Sequence, residues 1–460
     1  MLAKLGTSTF SRVLRRLDLT LFCVCAILVL DGLGALASIG VSALTWTLII
    51  LVGFFIPYGL IIAELGAAYP AEGGLFVWIW IAFGERWAAR CTWCYWISVG
   101  LGMPSVYVLF ASVLSRLFLP GLSLGWIVMS AIGMTWLTVL GVIFRLEIGK
   151  WVPNLGALFK LVIVLTLGIG GLVYAFRNGV ANDFSLSSLL PGWNTGLGFL
   201  PVIVFNFLGF ELVSGAGGEM KNPSHDLPAA IITSGGLIAF FYLLATLGIL
   251  LALPLEKLSL VGELIDTLEA VLGTSGIGQL AVTSLGVAFL YTLFATMVTW
   301  TMGTVRMMAE ASTRRSLPGI FSWRHPVHGS PVGASLLTGI ISTFVLIVYA
   351  GLAGRQDGLF WSLFAFASIA FLLPYLLLFP AFLKLRHSDP HTPRPFRFPG
   401  GKVLGWMAAG ICTLVILLSI VFFVWVPGLP VDWSFTLPVV VGVGIALAAG
   451  EVFIRRQKIG

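Results

Sequence analysis

Residues 205–215 read FNFLGFELVSG, and residues 28–40 read LVLDGLGALASIG. Each stretch sets a carboxylate beside glycines inside an otherwise apolar run: Glu211 follows Gly209 and Phe210, and Asp31 precedes Gly32, Leu33 and Gly34. Glycine weakens a helix, so both runs are expected to break where the acid lies. What surrounds these two stretches decides what such breaks are for.

The chain has 460 residues, of which 58% are hydrophobic and 10% charged, with a mean hydropathy of +1.03. A soluble fold cannot hide that much apolar surface, and soluble domains carry about 25% charged residues. A helical span needs roughly 20 apolar residues. Twelve stretches meet that length: 18–40, 43–67, 88–114, 124–144, 151–176, 197–216, 229–252, 278–304, 332–351, 358–383, 403–426 and 433–454. The expected fold is therefore an all-α polytopic membrane protein with twelve transmembrane helices. Ala35-Leu36-Ala37 resembles a signal-peptide cleavage site, but the run is long, Asp31 interrupts it, and further spans follow.

Basic residues give the orientation. With the N-terminus in the cytoplasm, 21 of the 26 Lys and Arg fall on that side; Arg116, Arg177, Lys257 and Arg355 fall outside and Lys160 within the membrane. Both termini are thus expected to be cytoplasmic, in a cell inner membrane. The net charge of +7 then reflects topology and contact with anionic lipid, with no nucleic acid partner. No phosphate-binding GxxxxGK[ST] loop is present, which argues against an ATP-driven pump. Cys91-Thr92-Trp93-Cys94 matches C-x-x-C without a second pair, and His225, His325, His328, His387 and His391 all fall in cytoplasmic loops. No metal or cofactor is expected. Segment 71–87, AEGGLFVWIWIAFGERW, reads as an amphipathic helix along the interface. The outer loop 253–277 is expected to hold short helices.

Asp31, Lys160 and Glu211 lie well inside spans, and Glu64 lies nearer a face. A charge at mid-membrane costs about 2.5–3.5 kcal/mol even on the lenient insertion scale, so it marks function or an internal ion pair. Lys160 stands on the fifth span, where an ammonium could replace a bound sodium ion and trade protons; the alternative is that it snorkels to an interface. Asp31 could hold a substrate amine or a proton, or cap the broken helix end.

The two broken runs are spans one and six of twelve. Paired glycine-interrupted spans at matching places in two halves point to an inverted-repeat transporter. A break near the midplane is tolerated only where it lines a cavity or is buried in protein, and it offers backbone groups to a substrate. Glu211 is then expected beside a watery pocket.

Four stretches carry a resemblance: AELGAAYPAEGGLFVW (63–78); FNFLGFE (205–211) followed by EMKNPSHDLPAA (219–230); WTMGTVRMMAEASTRRSLPGIF (300–321); and TPRPFRFPGGKVLGW (392–406). In this order they resemble the amino acid–polyamine–organocation (APC) transporter superfamily over nearly the whole chain. The resemblance implies a 5+5 inverted repeat, 18–176 and 197–383, followed by two further helices in 403–454. It implies that Phe205 matches the gating aromatic of the bacterial arginine/agmatine antiporters, where Trp stands. Glu211 matches their acid, a candidate proton sensor. Tyr95, Trp300 and Tyr375 look like pocket and gate aromatics, and Lys160 like the lysine at the sodium position. Many members carry a Gly-Ser-Gly-like first break; here it is Asp31-Gly32-Leu33-Gly34-Ala35. Its acid would repel a substrate carboxylate or favour a second amine, as in the glutamate/γ-aminobutyrate antiporters and polyamine transporters.

The expected function is a secondary transporter of amino acids or related amines, working by alternating access, coupled to protons or exchange and not to sodium. Substrate would meet Asp31, Gly32, Leu33, Gly34, Ala35, Tyr95, Phe205, Asn206, Gly209, Glu211, Trp300 and Tyr375; Lys160, Glu211 and Asp31 would couple protons. A polyamine importer using Asp31 and Glu211 as amine anchors is the alternative within the class. An enzyme lacks a catalytic constellation at membrane depth, a channel lacks a filter motif, and a non-transporting amino acid sensor would share the fold. Expected partners are a small-molecule substrate, protons and membrane lipid, with oligomeric state left open.

Overall fold

A computed structural model describes residues 14–71, 73–144, 151–215, 220–258, 262–352, 356–428 and 430–457. In chain order the helices are α1 (Arg16–Ile27), α2 (Leu33–Ala37), α3 (Ala43–Ile50), α4 (Ile56–Ala68), α5 (Leu75–Phe83), α6 (Glu85–Phe118), α7 (Leu124–Phe144), α8 (Trp151–Asn178), α9 (Leu186–Leu189) and α10 (Trp193–Asn206). They continue with α11 (Phe210–Ser214), α12 (Pro223–Ala252), α13 (Glu263–Leu272), α14 (Gly276–Thr313), α15 (Val332–Leu352), α16 (Gln356–Leu372), α17 (Tyr375–Ser388), α18 (Gly401–Val424) and α19 (Trp433–Arg456). Among the described residues, ten helical stretches are long and apolar enough to cross a membrane. The expected runs 197–216 and 332–351 contain shorter apolar helices, Gly198–Ser214 and Val332–Val348.

The first run is interrupted at Leu28 and Val29, before a 3₁₀ turn at Leu30–Gly32. The interruption thus falls N-terminal to the glycines, and Gly34 lies inside α2. The sixth run is interrupted between Asn206 and Phe210, with Gly209 at φ +131°, a region that side-chain-bearing residues avoid. A third interruption, not expected from the sequence, separates α16 from α17 at Leu373–Pro374, because proline cannot donate to the helix ladder.

Around the first break, backbone groups that leave the helix ladder find side chains. Lys160 Nζ donates to Cys25 O at 2.6 Å, Trp300 Nε1 to Ala26 O at 3.1 Å, and Tyr242 OH to Ile27 O at 2.9 Å. Val29 N–H donates back to Tyr242 OH at 2.7 Å. An unpaired amide in an apolar interior is costly, so these side chains hold the break open.

α6 and α16 pack together at the centre, with α14 against α6, and α12 against α8 and α4. α5 departs from expectation. Leu75, Phe76, Val77, Trp78 and Ile79 are all buried, and the helix packs on α6 and α17 instead of lying along the interface. Its aromatic side chains fill protein interior. The loop 253–277 carries α13, as expected of short helices there.

Candidate functional site

Glu211 opens the short helix α11 and is 0% exposed. Three tyrosines from three other helices donate to its carboxylate. Tyr95 OH of α6 reaches Oε1 at 2.5 Å, Tyr375 OH of α17 reaches the same oxygen at 2.6 Å, and Tyr58 OH of α4 donates to Oε2. Tyr58 OH also accepts the backbone N–H groups of Gly209 and Phe210, each at 2.9 Å. The acid is thus caged by hydroxyls and fully buried.

Beside the cage lies a cavity of about 70 Å³. Asp31 and Val29 border it from the first break, Phe205 and Leu208 from the sixth, Thr296 and Trp300 from α14. Ser98, Gly102, Ser105 and Val106 of α6 and Phe364, Ala367 and Phe371 of α16 complete most of the wall. A water needs about 10–15 Å³ by this measure, so the space admits roughly five atoms of water size, the scale of a small amine. Among the described residues, Asp31 is its one charged lining residue.

The sequence-derived site residues therefore divide. Asp31, Phe205 and Trp300 line the cavity. Tyr95, Tyr375 and Glu211 form the cage. Gly32, Leu33, Gly34, Ala35, Asn206 and Gly209 are buried in the two breaks and lie outside the cavity wall. Gly32 is there for close approach: a Cβ on it would fall 2.3 Å from Asn206 Nδ2. Lys160 is 1% exposed and bonded to Cys25 O, so it does not snorkel.

Three residues escaped sequence reasoning. Tyr58 closes the cage. Tyr242 stitches the first break, and its hydroxyl oxygen also lies 3.2 Å from Asn206 O in the sixth. Phe371 is the shared wall: its ring packs on Phe205 and Trp300 on the cavity side and on Tyr95 and Tyr375 on the cage side. A signal was present for the cage: IPYG (56–59) and LPYL (373–376) each set a tyrosine after proline in an apolar run. A phenol in such a run needs a partner, and Glu211 is one.

At the α4 end, Glu64 is 1% exposed and accepts from Arg386 Nε at 2.8 Å and Nη2 at 2.6 Å, and from Phe398 N–H at 2.7 Å. Arg394 Nε stands 3.3 Å away. Next to it, Tyr69 OH donates to Asp389 Oδ2 at 3.0 Å. Burial, then that carboxylate, pushes the Tyr69 phenol up to about 12, so it stays a donor at neutral pH. The five cysteines are free and buried.

A many-helix bundle whose discontinuous helices meet at a small cavity is the build of a membrane transporter. The chain belongs to the amino acid permease family, whose model matches residues 14–446. It is 36% identical to the probable agmatine/putrescine antiporter AguD of Lactococcus lactis subsp. lactis, over 94% of this chain and 93% of that one. It is 24% identical to the branched-chain amino acid permease BcaP of Bacillus subtilis, over 91% of this chain and 92% of that one. A crystal structure of a mutant Eremococcus coleocola manganese transporter shares the fold, with a TM-score of 0.59, 16% identity and 99% of each chain covered. The chain is a multi-pass membrane protein of the APC superfamily.

Proposed function

We propose that the chain is a secondary transporter of amino acids or related small amines, working by alternating access around the breaks at Leu28–Gly32 and Phe207–Gly209. In this reading twelve spans cross a cell membrane, residues 18–176 and 197–383 form two inverted repeats of five spans, and 403–454 adds two more. Both termini are cytoplasmic. Asp31 anchors a substrate ammonium, and Phe205 and Trp300 flank it with ring faces that attract a cation by about 1–2 kcal/mol when desolvated. Lys160 occupies a sodium-like position between α8 and the end of α1, so coupling runs through protons or exchange. Membership of a permease family supports a transporter over an enzyme in this reading.

One observation carries the reading. Among the described residues, the cavity presents one carboxylate, Asp31, on a wall of apolar and aromatic side chains and the hydroxyls of Ser98, Ser105 and Thr296, with no cationic side chain. Such a wall suits an amine better than a free carboxylate. The agmatine/putrescine name of the 36% identical relative supports the same choice. The polyamine-importer reading with Glu211 as a second anchor needs the tyrosine cage to open first, since all three hydroxyls point at that acid.

The test is counterflow in proteoliposomes without sodium, loaded in turn with putrescine, spermidine, agmatine, arginine, glutamate, γ-aminobutyrate and a neutral amino acid. Labelled amine accumulation that Asp31→Asn reduces by about tenfold or more, with unchanged thermal stability, is the expected result, since a charge-assisted contact contributes about 1.5–3 kcal/mol. Full transport by Asp31→Asn refutes the anchor. Silence from a folded protein across the panel refutes the transport of these classes.

A further inference from the structure

We propose that Tyr58 is a positioning residue that ties the proton state of Glu211 to the backbone at the break between α10 and α11. The proposal deepens the transport reading and draws its functional meaning from it. Its geometry stands apart from any substrate. A phenol has one proton to donate and two lone pairs to offer. The Tyr58 hydroxyl uses all three: the proton goes to Oε2 of Glu211, and the lone pairs accept Gly209 N–H and Phe210 N–H at 2.9 Å each. Those amides belong to the two residues at which the sixth run resumes. Gly209 is also pressed on both sides, since a Cβ there would lie 3.1 Å from Ile27 Cγ1 and 3.1 Å from the Trp300 ring.

The two oxygens of Glu211 therefore have different neighbours. Oε1 accepts from Tyr95 and Tyr375, which belong to α6 and α17. Oε2 accepts from Tyr58, which also holds the backbone. With Glu211 ionised, three phenol protons meet carboxylate oxygens and every bond is satisfied. A proton taken from water onto Oε2 must point at the Tyr58 oxygen, where both lone pairs are occupied. One amide N–H then loses its acceptor inside an apolar interior, and the break has to move. A proton on Oε1 turns away Tyr95 or Tyr375 and leaves Tyr58 with both amides. Oε2 is thus the oxygen that reports to the backbone, and Tyr58 is the reporter. From α1, the remaining titratable neighbour that feels Glu211 is the Cys23 thiol. Tyr58 is fixed by packing as well as by bonds: its ring meets Phe54, Phe210 and Phe379.

The experiment is hydrogen exchange of the 207–212 amides in the purified full-length protein, from mildly acidic to mildly alkaline pH, corrected for intrinsic exchange. No substrate is added. The wild type is expected to protect this segment at the alkaline end and to lose about tenfold of that protection on acidification, the scale of one to two buried hydrogen bonds. Tyr58→Phe keeps the ring and removes the hydroxyl; it should exchange about tenfold faster at every pH. Tyr375→Phe removes an equal bond to Glu211 but none to the backbone, and should keep wild-type protection at the alkaline end. Wild-type protection in Tyr58→Phe, or equal loss in Tyr375→Phe, overturns the proposal. Should Tyr58→Phe fail to fold, 3-fluorotyrosine at position 58 keeps the hydroxyl and changes its acidity. The pH midpoint of protection must then shift, and an unmoved midpoint overturns the idea. Counterflow is measured separately, so failure of either reading leaves the other standing.

Discussion

Gly32→Ala is the sharpest single perturbation the structure offers. The two breaks meet at Gly32 and Asn206, which lie 174 residues apart in sequence. An added Cβ would stand 2.3 Å from Asn206 Nδ2, 2.5 Å from Oδ1 and 2.7 Å from Cγ, about 1 Å short of van der Waals contact. The Asn206 amide is short and buried, so it cannot swing aside as a long flexible chain would. Gly32 has φ −93°, so backbone strain adds nothing and the whole effect is steric. Overpacking of this kind costs about 1–3 kcal/mol. The cost has a specific cure. Asn206 Oδ1 is buried without a hydrogen-bond partner, and its Nδ2 reaches Gly32 O only at 3.5 Å. Asn206→Ala therefore loses little bonding and vacates the space. Thermal unfolding of purified protein should show Gly32→Ala less stable than wild type, Asn206→Ala close to it, and the double variant better than Gly32→Ala by about 1–3 kcal/mol of coupling. Counterflow should recover in the same order. A double variant no more stable than Gly32→Ala, or a Gly32→Ala as stable as wild type, refutes the reasoning.

Two further outcomes are expected. Glu64→Gln leaves Arg386 and Arg394 facing each other without their shared carboxylate; since Glu64 is fully buried and both arginines mostly so, about 3–5 kcal/mol of stability should be lost, measured by thermal melting, and a loss under 1 kcal/mol would contradict the cluster's role. Asp389 is held below its ordinary value of 3.8, first by the Thr392 hydroxyl and also by Tyr69, so its contribution is complete above that value and vanishes as pH falls through the lower folded value. Asp389→Asn should therefore melt below wild type by a constant margin at neutral pH, and the margin should shrink only on acidification below about pH 4; a margin that stays constant there would sink the assignment.

Much of this architecture was legible because a membrane reduces the choices. Apolar runs of the right length, a one-sided distribution of Lys and Arg, and two glycine-interrupted runs each carrying an acid led to a polytopic helical fold with breaks in spans one and six. The exact break points were not legible. Gly32 and Gly34 drew attention because glycine destabilises helices, yet the chain leaves its helix at Leu28, where Lys160, Trp300 and Tyr242 offer partners to Cys25, Ala26 and Ile27. Propensity locates weakness; the side chains that can rescue freed backbone groups decide where the weakness is used, and they come from distant helices. The same cause hid α5. Its hydrophobic residues, with Trp78 and Trp80 among them, fit an interface, and only the packing of α6 and α17 around it makes it interior.

Phe371 explains why cavity and cage are one device. Its ring is 5.5 Å from Phe205 and 5.2 Å from Trp300 on one side, and 5.4 Å from Tyr95 and 5.3 Å from Tyr375 on the other. Interiors packed to crystal-like density do not let one such ring swing without its neighbours. In the proposed transport reading, an amine held at Asp31 that shifts Phe205 or Trp300 would also press on Tyr95 and Tyr375 through this shared ring. Those two hydroxyls hold Oε1 of Glu211, while Tyr58 holds Oε2 and the backbone of the sixth break. On that reading, occupancy at Asp31 and protonation at Glu211 would act on the same few side chains from opposite ends. The proposed reading therefore needs no direct contact between substrate and Glu211: the acid, buried behind its three tyrosines, would couple to the cavity through Phe371.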